Sequence, residues 1–166
     1  MALALVATAG ASNANSYTTV TEADSYHEGH LYASLWVAAT ATTKAAALVM
    51  ATRILESEMG WEGFRMTTTQ SLSFPRGGLV TQDGVNISDA TIPGRLRDAT
   101  AEFVRWLITS DRTADTGMEG IKYIQVESIK IVPGGPLKKE VIPNVVVSML
   151  KEYGRKRSNV KHLVRC

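Results

Sequence analysis

Two stretches of this chain carry apolar residues at helical spacing, and the 30 residues of 61–90 between them carry no period at all. In residues 44–59, Leu48, Ala51, Leu55 and Met59 recur along one face, with Ala47 and Ile54 beside them. Ala, Leu and Met dominate this stretch, and all three favour helix. Thr43 is the expected N-cap and Gly60 the expected stop. Downstream, Leu96, Ala99, Phe103, Trp106 and Leu107 mark a second amphipathic helix ending near Ser110, with Pro93 in its first turn. A helix with one apolar stripe must bury it against another element, so a helix-dominated core is expected.

The remaining elements read as shorter. Residues 2–7 suit an N-terminal strand. A first helix is expected over 22–32, capped by Thr21 with Asp24 three residues on, and with Ala23 and Tyr26 on one face. Within 61–90, Gly63, Pro75, Gly77, Gly78 and Gly84 break any regular element, and a loop of this length tends to be functional or locally structured. Asp83-Gly84 suits a hairpin turn between 79–80 and 85–87. Residues 121–132 are rich in Ile, Val and Tyr and read as β. Ile124/Val126 and Ile129/Ile131 are out of phase, so a bulge or tight turn belongs at Glu127-Ser128. Residues 133–136 form a Pro-Gly-Gly-Pro loop. A last helix is expected over 144–153, with Val146, Met149 and Leu150 inward and Gly154 ending it. The fold class is therefore mainly α with a small β part: about four helices, a short β hairpin and an extended C-terminal tail. One domain is assigned to residues 1–154 and a basic tail to 155–166.

Charge sharpens that boundary. From Lys138 onward the chain holds eight Lys/Arg and two Glu, a net +6, whereas the preceding residues sum to −4. An acidic body with a basic end suggests a tail that meets a partner. The single cysteine, Cys166, rules out an intramolecular disulfide and a Cys-based zinc site. The apolar start of the chain lacks the basic region of a signal peptide, and no run approaches a membrane span, so no membrane association is expected.

Catalytic signatures are missing. There is no GxSxG elbow, no phosphate-binding loop and no GxGxxG. His27 and His30, spaced i, i+3 around Glu28, resemble metal-ligand spacing without the rest of a zinc motif. They are expected to be ordinary surface or interface histidines, and a small metal-dependent enzyme stays a third alternative. No enzyme activity and no cofactor are expected. The basic residues Arg155, Lys156, Arg157, Lys161 and Arg165 suit phosphate contact, protein docking or plain solvation equally. Single-strand binders add aromatic stacking platforms, and no aromatic follows Tyr153.

Several local patterns in order resemble the small head–tail connector adaptors of tailed bacteriophages. Asn15-Ser16-Tyr17 is followed by Glu22-Ala23-Asp24 and Tyr26, then by an Ala-rich helix with Leu48, Ala51, Thr52 and Leu55. Trp61-Glu62-Gly63 and Gln70 through Leu72, Phe74, Pro75 and Arg76 follow, then Ile92-Pro93 with Ala99 and Glu102, and last Ile142-Pro143 with Met149, Leu150 and Tyr153. The resemblance spans roughly residues 2–153. Phe74 stands where tryptophan is common in the family. Members are often labelled DnaT-like single-stranded-DNA-binding proteins. The resemblance implies a structural virion protein at the neck, made in the host cytoplasm. It implies a ring, usually of twelve copies, that binds the portal, meets a downstream neck or tail-completion protein, and lets packaged DNA through without sequence-specific contact. It also implies that the C-terminal segment, from Tyr153 to Arg165, docks on the portal. A single-stranded-DNA-binding replication accessory is the alternative.

Overall fold

The computed structural model describes residues 3–114, 124–126, 129–131 and 140–157. The architecture is mainly helical with a small β part. Its elements are α1 (Val20–Glu28), α2 (Ser34–Ala38), α3 (Ala41–Glu58), β1 (Met59–Trp61), β2 (Phe64–Arg65), β3 (Arg76–Gly77), α4 (Gly94–Thr109), β4 (Ile124–Val126), β5 (Ile129–Ile131), α5 (Asn144–Leu150) and β6 (Gly154–Lys156).

Helix α4 is the hub, packing against α1, α2, α3 and α5. Its stripe buries Leu96, Ala99, Phe103 and Val104, and α3 answers with Leu48, Ala51, Ile54 and Leu55. The periodicity of both helices thus points into one core, joined by Trp36 of α2 and by Val146 and Leu150 of α5. Trp106, Leu107 and Met149 are only partly buried and pack on its margin.

Helix starts differ from the sequence expectation in an instructive way. Thr19, not Thr21, caps α1: its hydroxyl accepts from the Glu22 N–H while the Glu22 side chain accepts from the Thr19 N–H. That is the full capping box, which Asp24 could not complete. The helix stops at Gly29, so Tyr32 lies outside it. Thr40, not Thr43, caps α3, accepting from the Thr43 N–H at 3.2 Å. Pro93 is the N-cap of α4 and not part of its first turn. Five-residue α2 was not expected; it carries too few residues to show a period.

The β elements form three two-stranded antiparallel sheets among the described residues: β1 with β6, β2 with β3, and β4 with β5. Val126 pairs with Ile129 across β4 and β5; Glu127-Ser128, where a bulge or tight turn was expected, lies outside the described residues. The 79–87 hairpin is present with Gly84 in its turn and a bridge between Val80 and Asn86. Of residues 2–7, expected as a strand, the described 3–7 pair with no described strand; Val6 is held by Asn15. The 133–136 loop lies outside the described residues.

The main correction concerns the C-terminal end. Arg155, expected to begin a free tail, lies inside a strand that Gly154 starts. That strand, β6, pairs Gly154 with Trp61, Arg155 with Gly60 and Lys156 with Met59. The Arg157 N–H then donates to the Glu58 carbonyl at 2.8 Å. A boundary between 154 and 155 cuts through this strand, and the described fold continues to Arg157.

Candidate functional site

The motif residues of the sequence gather into an internal frame. Tyr17 is fully buried and meets Trp61 and Phe74 edge-to-face, with centroids 6.3 and 6.0 Å away. Phe74 also meets Tyr153 at 6.1 Å. Such edge-to-face pairs add about 0.5–1.5 kcal/mol each beyond their buried area. The Tyr17 hydroxyl donates to Glu56, whose carboxylate also accepts from the Ser73 N–H at 3.1 Å and the Ser73 hydroxyl at 2.8 Å. One helix carboxylate therefore fixes two loops.

Buried Gln70 organises the next turn. Its amide donates to the carbonyls of Leu72, Ser73 and Pro75, and its oxygen accepts from the Thr67 N–H. Pro75 follows Phe74 through a cis peptide bond. Arg76 spends its guanidinium on the carbonyls of Glu62 and Gly63, joining the Trp61-Glu62-Gly63 turn to β3. Asn15 ties residues 4 and 6 through its side-chain amide. Pro93 ends the loop and starts α4. All these residues hold the body together.

A second cluster surrounds Glu102 on α4, a carboxylate only 2% exposed. Arg105 and the Trp106 indole donate to it, and the Tyr26 hydroxyl and His30 Nε2 lie at 3.4 Å. Burial works to raise this carboxyl, but Arg105, Trp106 and His30 together hold it below the usual carboxylate range. Burial beside that charge pushes the Tyr26 phenol up to about 12. Burial likewise pushes His27 down, against its contact with the Ala101 carbonyl at 3.1 Å. The His30 Nδ1 accepts from the Tyr32 N–H at 3.0 Å. Among the described residues no three His, Cys, Asp or Glu side chains gather as a metal site, and His27 and His30 are engaged as stated. An open groove of about 570 Å³ lies between the starts of α1 and α4; its Arg97 pairs with Glu22 through Nη1, while the Arg97 Nε is buried without a hydrogen-bond partner among the described residues.

The residues assigned to a docking tail separate. Tyr153 is buried in the aromatic frame. Arg155 stands 88% exposed beside Glu62 at 3.6 Å, and Lys156 meets Glu140 at 3.4 Å. Arg157 is held through its backbone. Lys161 and Arg165 lie outside the described residues.

Sequence reasoning missed the surface that stands out most. Between α1 and α3, Leu31 is 92% exposed, Tyr32 74%, Leu35 51% and Val37 70%. A second group, Phe64, Met66, Val80 and Val85, is also exposed. Single exposed apolar residues are ordinary, but grouped ones mark interaction sites. No periodicity signals them; the only signal is the density of apolar residues in a stretch too short to form a long helix. The first group precedes α3 in the chain and the second follows it.

No helix among the described residues is long and apolar enough to cross a membrane. No curated protein and no solved structure matches the chain. A family model does match, over residues 1–166, and the chain belongs to the family it describes, "Putative DnaT-like ssDNA binding protein".

Proposed function

We propose that this chain is a structural subunit of a tailed-phage neck, a head-to-tail connector adaptor that forms a ring under the portal and links it to the tail. One observation carries this reading: apolar side chains stand in solvent in two separate stretches of the chain, as Leu31, Tyr32, Leu35 and Val37 before α3 and Phe64, Met66 and Val85 after it. A subunit of a closed ring presents two different faces to its neighbours, and such faces are apolar before assembly. The order of motifs from Asn15 to Tyr153 supports the same reading. Mixing the purified protein with purified portal and imaging by electron microscopy tests it: rings seated on portal are expected, and a protein that forms none while portal is present refutes it. The basic residues beyond Arg157 are assigned to portal docking, so a chain ending at Arg157 is expected to keep its melting temperature and lose portal binding. Normal docking by that truncated chain removes the role.

A second reading, a single-stranded-DNA-binding accessory protein, is favoured by the family description and by one local feature. The exposed Phe64 ring lies against Gly77 and Gly78, while Arg65 and its strand partner Arg76 belong to the opposite face of the two-residue ladder. An exposed aromatic ring is the element on which a single strand's bases stack. Fluorescence anisotropy with a labelled single strand at about 0.15 M salt discriminates the readings. Tight binding that Phe64→Ala abolishes, with no ring on portal, selects this one.

A further inference from the structure

We infer that His30 is a proton-operated latch on the turn that displays the exposed apolar residues Leu31 and Tyr32. Neutral, its ring holds that turn; on taking a proton at Nδ1 it lets the turn go. The adaptor reading draws on these residues, but the latch is a property of the single chain and stands or falls without it.

The turn has few fastenings. Helix α1 ends where the N–H groups of Gly29 and His30 both donate to the His27 carbonyl, the latter at 3.0 Å. Helix α2 begins at Ser34. Between the two, the Tyr32 N–H donates to His30 Nδ1 at 3.0 Å. Among the described residues the N–H groups of Leu31, Tyr32 and Ala33 make no other hydrogen bond. Leu31 is 92% exposed and Tyr32 74%, so burial of their side chains does little to hold the turn.

An imidazole nitrogen that accepts a hydrogen bond carries no proton, so the proton of neutral His30 sits on Nε2. That atom lies 3.4 Å from a Glu102 carboxylate oxygen. The next proton has to go to Nδ1. There it meets the Tyr32 N–H, and two donors face each other. The ring keeps its contact with Glu102 through Nε2, so it stays in place while the Tyr32 bond is lost.

The titratable and charged groups facing His30 are Tyr26 and His27 from α1, Tyr32 from the turn, and Glu102 with its partner Arg105 from α4. Helices α2 and α3 bring Trp36 and Lys44, which stand against His27 and Asp24 instead. Between about pH 8 and pH 5 imidazole is the side chain that changes charge. Glu102 is already ionised there, because Arg105, Trp106 and His30 outweigh its burial. The His27 ring acts on the core, through the Ala101 carbonyl and Trp36, and not on the backbone of 31–33.

The test follows the Tyr32 amide of the full-length protein by heteronuclear NMR from about pH 8 to pH 5. In wild type its resonance is expected to move with the same midpoint as the His30 ring. Its protection against hydrogen exchange is expected to fall about tenfold. H30N is the control variant. An Asn oxygen accepts from the N–H two residues on and does not titrate, so Tyr32 is expected to show no transition in it. H27Q is expected to keep the Tyr32 transition. A Tyr32 amide that stays protected while the His30 ring titrates overturns the inference. So does a transition that persists in H30N or vanishes in H27Q, which assigns it to the core. None of these outcomes bears on rings with portal, so the adaptor reading fails or holds by its own experiment.

Discussion

At the residue scale, Gln70 shows how a polar side chain can be worth more than an apolar one inside a loop. Three carbonyls share its amide, and none of them has a strand to pair with. Gln70→Ala is expected to lower stability by about 2 kcal/mol, read as a reduced urea midpoint at unchanged slope, because buried acceptors lose their donor. A change within about 0.5 kcal/mol would mean that water replaces the amide without loss. The Gln-x-Leu-x-Phe-Pro-Arg run was legible as a motif, yet its purpose was not, since nothing in the order of residues says that one amide spans three carbonyls. Thr19 teaches the opposite lesson. Thr19-x-x-Glu22 is a complete capping box in the sequence, whereas Thr21 has only the shorter Asp24 three residues on.

At the element scale, the long helices were legible because their stripes are strong, and β6 was not. Gly154, Arg155 and Lys156 have no preference for strand; they pair because β1 offers an edge. Gly154 permits the approach. A Cβ there would lie 2.5 Å from the Gly60 carbonyl oxygen and 3.0 Å from the Trp61 Cα, both backbone atoms that cannot rotate away. Gly154→Ala is therefore expected to cost about 1–3 kcal/mol and to speed exchange of the amide hydrogens of residues 59–61 and 154–156. Protection that stays at wild-type level in both segments would show that the sheet absorbs the methyl. Helix α2 and the apolar surface around it were illegible for another reason: exposed leucine and valine look, in a sequence, like buried ones.

For the molecule as a whole, the core holds two groups that make stability depend on pH. His27 has a folded value below its ordinary 6.5, because burial disfavours the cation. The unfolded chain then binds more protons than the folded one below that value, so stability is complete above about pH 6.5 and falls as pH drops below it. Glu102 has a folded value below its ordinary 4.5, where Arg105 outweighs burial. Its contribution is complete above about pH 4.5 and falls as pH drops towards the folded value. Two successive declines of the urea midpoint are expected on acidification, and His27→Gln is expected to remove the upper one while sparing the lower. A midpoint flat from about pH 7.5 to 5.5 in wild type contradicts the assignment to His27.

The pairing of β6 with β1 has one more consequence, which concerns synthesis. About a hundred residues separate the two strands, so β1 leaves the ribosome long before its partner exists. Until then Met59–Trp61 is an open strand edge, and Phe74 lacks the Tyr153 ring. A chain interrupted before Gly154 carries both defects and stays unstable, open to proteases. Synthesis through Lys156 is thus the step that lets the body lock.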